Sequence, residues 1–303
     1  MPKYPYLPEG KVIQHVSLDH PFMIAAQKAQ QERAGDPFWP NGAVLVKDGK
    51  IVSEAGNGFD RGAHLIHVCP RIVHECASGE GYDLCSLHDP EGHAEQKAIA
   101  NARKKGIDPR GGDIYMFGHW WCCKPCWDEM IQAGIKNVFL PEGADDLFTF
   151  EKVRLPKLQP SVKSAYIACA IKNVPLEAKA QYHKALDVIG VVCESIGCTP
   201  YHPHKVSTPE LMPDSDPGEI HDLGCKMVEK HEIVIADASY PSTGLGGEIQ
   251  LAKERGKPVV LVSKKGMLVS KFAIGNSAVV YHLEYDDDLK LFARQLRNVL
   301  IQI

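Results

Sequence analysis

The stretch DIYMFGHWWCCKPCWDEMIQAGIKNVFL, residues 113–140, combines two kinds of hydrophobic periodicity. Its ends, 113–117 and 137–140, are short apolar runs typical of buried strands, and the segment from about 125 to 133 has helical spacing. A helix between two strands is the repeating unit of α/β proteins. The stretch therefore predicts an α/β fold.

The same periodicities predict further elements on both sides of this stretch. The elements predicted before the stretch are a helix over 21–34, a hairpin around 47–49 and a helix over about 93–105. The strands predicted after it are 165–171, 232–237 and 258–262. The helices predicted after it are about 176–196, 248–255 and 288–300. Between the two groups of elements, residues 141–163 are polar and contain Pro156 and Pro160, as linkers often do. We therefore predict two domains, residues 1–160 and 164–303, with a linker at about 141–163.

Composition narrows the class of protein. A chain of 303 residues exceeds what one hydrophobic core usually spans, and 44% hydrophobic with 24% charged residues is typical of globular domains. The net charge of −4 provides no basic field for long nucleic acids. No signal peptide pattern opens the chain, and no apolar run reaches the length of a bilayer crossing. We expect a cytoplasmic protein that acts on a small molecule, not on a membrane or a long nucleic acid.

A histidine and two cysteines are spaced as metal ligands. Ten cysteines in a reducing compartment suggest metal binding or catalysis where they cluster, and six of them lie between 69 and 126. His93 opens a predicted helix, and Cys123 and Cys126 form a C-x-x-C pair at the entry to the next. Three such ligands leave the fourth position of a tetrahedral zinc open, as a catalytic site requires. Glu95 can reach water on the metal without ligating it and so carry a proton.

The His-Ala-Glu motif, the C-x-x-C pair and the segment 131–138 resemble the cytidine and deoxycytidylate deaminase family, over roughly residues 20–142. The resemblance implies a three-layer α/β/α domain. It also implies that zinc and water displace ammonia from a cytosine ring, with Glu95 as the proton carrier. The positions that the resemblance places at the substrate are Asn41, Asn57, which matches the asparagine that contacts the sugar, and Ala94.

Cys122 departs from the family pattern, in which a proline precedes the first motif cysteine. It competes as a metal ligand, so one alternative is a structural zinc site that Cys122 closes. A structural site has no use for Glu95, which favours the catalytic interpretation.

A second group of candidate ligands lies in the insertion between the substrate-pocket motif and the zinc motif. Deoxycytidylate deaminases often carry metal-binding residues in this region, so the resemblance makes a second, structural zinc plausible. Loop residues that frame the pocket are the alternative, because the spacings are irregular. The candidate ligands are Cys69, Cys76, Cys85 and His88.

A glycine-rich turn, residues 237–247, follows a buried strand and precedes a predicted helix that begins at Glu248. Such a turn suits a phosphate or carboxylate, because backbone amides at a helix start are unpaired. The turn, the strand that begins at Tyr166 and the Gly-Lys-Pro-Val segment at 256–259 resemble the nucleoside 2-deoxyribosyltransferases. That family includes the 2-deoxynucleoside 5-monophosphate N-glycosidases, and the likeness runs over about 164–300. It implies a flavodoxin/Rossmann-like domain with a parallel sheet.

In that family a glutamate matching Glu248 attacks the anomeric carbon, and water or a second base resolves the glycosyl-enzyme. The matching serine, Ser242, binds the 5-phosphate in the N-glycosidase branch. Two departures weaken the match. Where the nucleotide-hydrolysing relatives have a small loop that contains an arginine, this chain has Cys169–Asn173. Where the family has an acidic residue on the helix before the central strand, this chain has Gly224. The remaining substrate-binding residues that the resemblance implies are Tyr166, Asp237, Ser239, Gly244 and Gly246.

These patterns together predict a bifunctional pyrimidine nucleotide enzyme. It would deaminate a dCMP-type nucleotide, with or without a substituent at C5, and then cleave or transfer the N-glycosidic bond of the product. One alternative is a deaminase whose second domain is a catalytically silent nucleotide sensor, and another is a nucleic-acid base deaminase. Both families commonly share active-site residues between subunits, so we also expect a homo-oligomer.

Overall fold

The computed structural model describes residues 5–59, 66–76, 80–85, 92–158, 160–208 and 211–303. The chain divides into two compact units, Met1–Leu65 with Cys69–Leu158 and Ile66–Val68 with Gln159–Ile303. In the described part of the chain, each unit contains one five-stranded sheet. The second unit resumes at Gln159, inside the interval of the predicted linker.

The first unit is built on a mixed sheet with the strand order β1-β5-β4-β2-β3. Strand β2 runs antiparallel to β3 and β4, whereas β5 runs parallel to β4 and β1. Its elements in chain order are β1 (Ile13–Val16), α1 (Pro21–Arg33), β2 (Gly42–Lys47), β3 (Lys50–Gly56), α2 (Pro70–Val73), α3 (Ala94–Lys104), β4 (Asp113–Phe117), α4 (Lys124–Gln132), β5 (Asn137–Pro141), α5 (Ala144–Leu147) and α6 (Phe150–Val153).

Helices cover both faces of this sheet. Val44 and Val46 of β2 pack with Met23 of α1. Leu45, between them, points to the other face because side chains alternate along a strand, and it packs with Ile99 of α3. The first unit is therefore a three-layer α/β/α domain, and the starts of α3 and α4 lie on one side of the sheet.

The second unit is built on an all-parallel sheet with the strand order β10-β9-β8-β6-β7. Its elements in chain order are β6 (Ser164–Ala168), α7 (Leu176–Ser195), β7 (Thr199–Tyr201), α8 (Pro217–Lys230), β8 (Ile233–Asp237), α9 (Thr243–Glu254), β9 (Val259–Lys264), α10 (Lys271–Ile274), β10 (Val279–Tyr285) and α11 (Leu289–Leu300).

Both faces of the parallel sheet are buried, as its continuous apolar strands predict. Ile235 of β8 packs with Leu186 of α7 and Phe292 of α11. Its neighbour Val234 packs on the opposite face with Ile249 of α9. The predicted α/β class, with a three-layer unit followed by a parallel-sheet unit, is confirmed.

The strand expected over 165–171 ends at Ala168, and one predicted helix boundary is wrong. The helix expected from Glu248 begins five residues earlier, at Thr243. The cause is local: Ser242 has extended backbone angles, and its Oγ accepts a hydrogen bond from the N–H of Leu245 at 3.3 Å. This N-cap offsets the low helix propensity of the glycines that follow. Glu248 consequently stands in the second helical turn instead of the first.

None of the helices in the described part of the chain combines the length and the apolar character that a membrane crossing requires.

Candidate active sites

The three predicted metal ligands lie together at two helix starts. His93 is the N-cap of α3, Cys123 is the N-cap of α4, and Cys126 follows in the first turn of α4. The Nδ1 atom of His93 is 3.3 Å from Sγ of Cys123 and 3.3 Å from Sγ of Cys126. Unpaired amides and the helix dipole at such a start favour thiolates over thiols.

This donor set fits a zinc ion. Tetrahedral zinc, with Zn–N near 2.0 Å and Zn–S near 2.3 Å, places nitrogen and sulfur about 3.5 Å apart, close to the distances observed. The hydrogen bond from Cys126 lowers the pKa of the Cys123 thiol to about 5 against the opposing effect of burial, with His93 contributing further. Among the described residues, the group holds three ligand atoms and Cys122 is not one of them. Cys122 is fully buried in the same core, where burial raises the pKa of its thiol and the neighbouring Glu95 raises it further.

Glu95 lies in the first turn of α3, two residues after the histidine, and only 6% of it is exposed. Burial raises the pKa of its carboxyl group, the charge of His93 opposes that shift, and Cys123 adds to it. A buried carboxyl group beside the ligand cluster takes up a proton more readily than an exposed one, as a proton carrier must.

A cavity of about 480 Å³ opens onto the ligand cluster, which is a volume typical of small-molecule sites. His93, Glu95 and Cys123 line it. The three residues expected at the substrate, Asn41, Asn57 and Ala94, line the same cavity. The structure therefore gathers two of the three predicted metal ligands, the proton carrier and the pocket residues around one space.

The two asparagines of this cavity have different hydrogen bonds. Asn57 holds the loop together: its Oδ1 accepts from the N–H of Asn41 at 2.7 Å, and its Nδ2 donates to the carbonyl of Trp39 at 2.9 Å and to Asp36 at 3.3 Å. Asn41 Oδ1 is buried and has no hydrogen-bond partner among the described residues. Asn41 thus offers the cavity an acceptor, whereas the amide of Asn57 is already engaged.

In the second unit, Glu248 lies beside Tyr166 of β6. The Tyr166 hydroxyl donates a hydrogen bond to Oε1 of Glu248 at 2.5 Å. Burial raises the pKa of Glu248 to about 7, and the bond from Tyr166 opposes the rise. A Cβ atom built on Gly224 of α8 would lie 3.9 Å from the same Oε1, so α8 approaches the carboxylate at a position without a side chain.

The start of α9 borders a second cavity, of about 550 Å³. Ser242 and Gly246 line it together with Tyr240 and Asn173. Gly244 is in the first turn of α9, where an added Cβ would lie 3.8 Å from Ser242 Oγ. Glu248 is not among the described residues that line this cavity.

Comparison with known proteins finds a family profile that matches within the first unit. Residues 16–141 match the profile described as the cytidine and deoxycytidylate deaminase zinc-binding region. The first half of the chain resembles these deaminases. Among curated proteins, ComE operon protein 2 of Bacillus subtilis (strain 168) is 32% identical over 135 residues, which are 41% of this chain and 65% of that protein.

Two further proteins are similar to parts of the chain. The putative 2'-deoxynucleoside 5'-phosphate N-hydrolase 1 of Thermofilum pendens (strain DSM 2475 / Hrk 5) is 34% identical over 58 residues, 19% of this chain and 41% of that protein. The solved CMP N-glycosidase BcmB of Clostridium botulinum is 19% identical, with a TM-score of 0.34, over 44% of this chain and 97% of that chain. The chain spans less than two thirds of each of the two curated relatives.

Aromatic side chains form part of the cavity wall in the deaminase-like unit. The His119 ring lies 5.4 Å from the Trp39 ring and 4.8 Å from the Trp121 ring, and all three residues line the cavity with Trp120. Trp127, close to Trp120 and Trp121 in the sequence, is 2% exposed and packs in the core. Sequence reasoning missed Trp39, whose only signal was its place just before Asn41.

The second predicted metal cluster of the deaminase-like unit is only partly described. The Sγ atoms of Cys69 and Cys85 are 4.0 Å apart. Among the described residues Cys76 does not join them; a Cβ built on Gly81 would lie 2.8 Å from its Sγ. His88 lies outside the described residues. A second zinc therefore stays a prediction.

Asp237 and Ser239, expected at the substrate of the second site, take part in a buried network at the end of β8. Asp237 is fully buried and accepts hydrogen bonds from the N–H of Ser239 and from the hydroxyl of Tyr285, both at 2.9 Å. The Oγ of Ser239 accepts from the N–H of Lys264 at 2.8 Å. Burial raises the pKa of Asp237 to about 6. These bonds fix the turn that leads to α9.

Proposed function

We propose that this chain is a bifunctional pyrimidine nucleotide enzyme. Its deaminase-like unit would hydrolyse the amino group of a dCMP-type nucleotide with the help of zinc. Its second unit would then cleave or transfer the N-glycosidic bond of the product, in nucleotide salvage or sanitisation.

The observation that carries the deaminase proposal is the joint lining of one cavity by His93, Cys123 and Glu95. His93, Cys123 and Cys126 would hold the zinc, whose chemistry when bound is Lewis-acid activation of water. Glu95 would take a proton and return it to the departing amino group, and its burial beside the ligands supports that role. Asn41 would accept a hydrogen bond from the substrate through its unpartnered Oδ1.

The second reaction rests on the pair of Glu248 and Tyr166. A carboxylate nucleophile would attack the anomeric carbon as the bond from that carbon to the base breaks, and water or a second base would then release the sugar. The short hydrogen bond from Tyr166 fixes the orientation of the Glu248 carboxylate. If this unit cleaves the N-glycosidic bond and does not only sense nucleotides, Glu248→Gln should abolish the release of free base.

Mass spectrometry of the products from a panel of nucleotides tests both reactions. We expect wild-type protein to convert dCMP, or a 5-substituted analogue, into ammonia, the deaminated nucleotide and free base. Glu95→Ala should release no ammonia, and Glu248→Gln should accumulate the deaminated nucleotide. Glu254→Gln, on the exposed side of the same helix α9, is the matched control and should behave as wild type.

The outcomes separate the alternatives. Ammonia without free base from every nucleotide would indicate a deaminase with a silent second unit. Deamination of cytosine in oligonucleotides at low salt, but not in free nucleotides, would indicate a nucleic-acid deaminase. Neither ammonia nor free base from any member of the panel would overturn the proposal.

A further inference from the structure

A cationic corner of the 480 Å³ cavity is not used by the deamination chemistry. Arg154, directly after α6, lines the cavity that also contains His93 and Glu95. Its guanidinium lies 5.6 Å from the centre of the Phe150 ring. Its Nε atom is buried and has no hydrogen-bond partner among the described residues. A buried N–H of a charged group without a partner is costly, which points to a partner that binds there.

A second guanidinium reinforces this corner. Arg71, after the start of α2, lines the same cavity, donates from Nε to the carbonyl of Glu80 at 2.6 Å and lies 4.6 Å from the centre of the Tyr82 ring. These contacts hold its planar group at the cavity wall. Burial lowers the pKa of Arg154, and the positive charge of Arg71 lowers it further. Because the two positive charges repel each other, an anion bound between them would stabilise both charged groups.

A carboxylate close to Arg154, that of Asp36, does not by itself neutralise the positive charge of this corner. Asp36 is near enough to favour the charged forms of Arg154 and Lys157. Its Oδ1 already accepts from the N–H groups of Phe38 and Trp39, at 2.8 and 3.1 Å, however. In the described part of the chain no ion pair is formed by Arg154 or Lys157, although burial lowers the pKa of both.

We propose that Arg154, with Arg71, binds the phosphate of the nucleotide and makes the deaminase-like unit select phosphorylated substrates over nucleosides. This inference rests on the proposed deaminase function. A guanidinium suits the role because its planar donors bind two phosphate oxygens at once. The phosphate takes no part in the chemistry of the ring, so the interaction would contribute to substrate binding and specificity.

Steady-state kinetics with dCMP and deoxycytidine tests the inference. For zinc-loaded protein we expect Arg154→Ala to raise KM for dCMP by about 10- to 100-fold, as expected for loss of a charge-assisted hydrogen bond, and to change KM for deoxycytidine less than about threefold. Arg154→Lys should recover only part of the loss, because lysine lacks the two-pronged donor. Lys152→Ala removes an exposed cation that pairs with Asp146 and should leave both substrates unaffected.

Competition by inorganic phosphate provides a second measurement, and this one needs only wild-type protein. Inorganic phosphate should raise KM for dCMP competitively and should leave KM for deoxycytidine unchanged. Calorimetry should detect binding of inorganic phosphate to wild type and weaker binding to Arg154→Ala. Equal kcat/KM for dCMP and deoxycytidine, or no competition by phosphate, would overturn this inference alone. Absence of ammonia from both substrates would instead overturn the deaminase function.

Discussion

The hydroxyl of Tyr166 donates a 2.5 Å hydrogen bond to Oε1 of Glu248, and this bond and burial act in opposite directions on one carboxyl group. Burial raises the pKa of Glu248 to about 7, whereas the hydrogen bond stabilises the carboxylate and lowers the pKa. Glu248 therefore loses its proton in a pH range where a small change in its surroundings alters the fraction of the nucleophilic carboxylate form.

Release of free base should depend on pH through this group. The carboxylate is the reactive form, so the rate should rise as pH passes upward through about 7. Tyr166→Phe removes the donor that favours the carboxylate and should move the midpoint upward by about one unit. Tyr201→Phe is the control, since Tyr201 stacks on Tyr166 at 5.8 Å but does not bond to Glu248. An unchanged midpoint in Tyr166→Phe would contradict the assigned role.

Removing zinc should separate the two reactions. A zinc chelator should abolish ammonia release from dCMP, because His93, Cys123 and Cys126 are left without the ion that activates water. Release of uracil from dUMP should continue, because Glu248 and Tyr166 belong to the other unit. Ammonia and base release are measured on the same sample, and re-addition of zinc should restore the first. Equal loss of both activities would count against two independent chemistries.

Metal analysis should exclude Cys122 as a ligand. Cys123→Ala should lose one zinc ion per chain relative to wild type, because Cys123 Sγ is one of the three clustered donor atoms. Cys122→Ala should retain that ion, because Cys122 is not one of the three residues whose ligand atoms cluster. Inductively coupled plasma mass spectrometry gives the content of each variant. Loss of zinc in Cys122→Ala would support the structural site that the sequence left as an alternative.

The buried network at the end of β8 should contribute to the stability of the second unit. Tyr285→Phe keeps the ring but removes the donor to Asp237, and should lower the free energy of unfolding by about 1–2 kcal/mol. Tyr281→Phe, on the same strand, removes a hydroxyl that has no such bond and should cost less than about 0.5 kcal/mol. Urea unfolding followed by circular dichroism measures both.

An internal control for this experiment comes from the sequence. All four tryptophans lie in the first unit, so their fluorescence reports the unfolding of that unit, whereas Tyr281 and Tyr285 belong to the second. A loss of stability as large in Tyr281→Phe as in Tyr285→Phe would show that the bond to Asp237 is not the cause. The tryptophans are Trp39, Trp120, Trp121 and Trp127.

Local sequence was a good guide where one short segment determines the outcome. The C-x-x-C pair lies within one helical start, so the relative positions of Cys123 and Cys126 follow from local geometry. The same holds for the hairpin of β2 and β3, where Asp48 and Gly49 both have positive φ, as a two-residue type I′ turn requires. It was a poorer guide at α9, where the cap formed by Ser242 outweighed the glycines and moved the helix start to Thr243.

By itself the sequence determined the α/β class and the types of residue available for chemistry, because periodicity and motif spacing are local properties of the chain. Only the tertiary structure decided which residues share a space. It brought His93 and Cys123 within 3.3 Å, joined Tyr166 to Glu248, and placed Arg154 in the cavity of Glu95. These residues stand 30, 82 and 59 positions apart in the sequence, and only the packing of the sheets and helices brings such distant positions together.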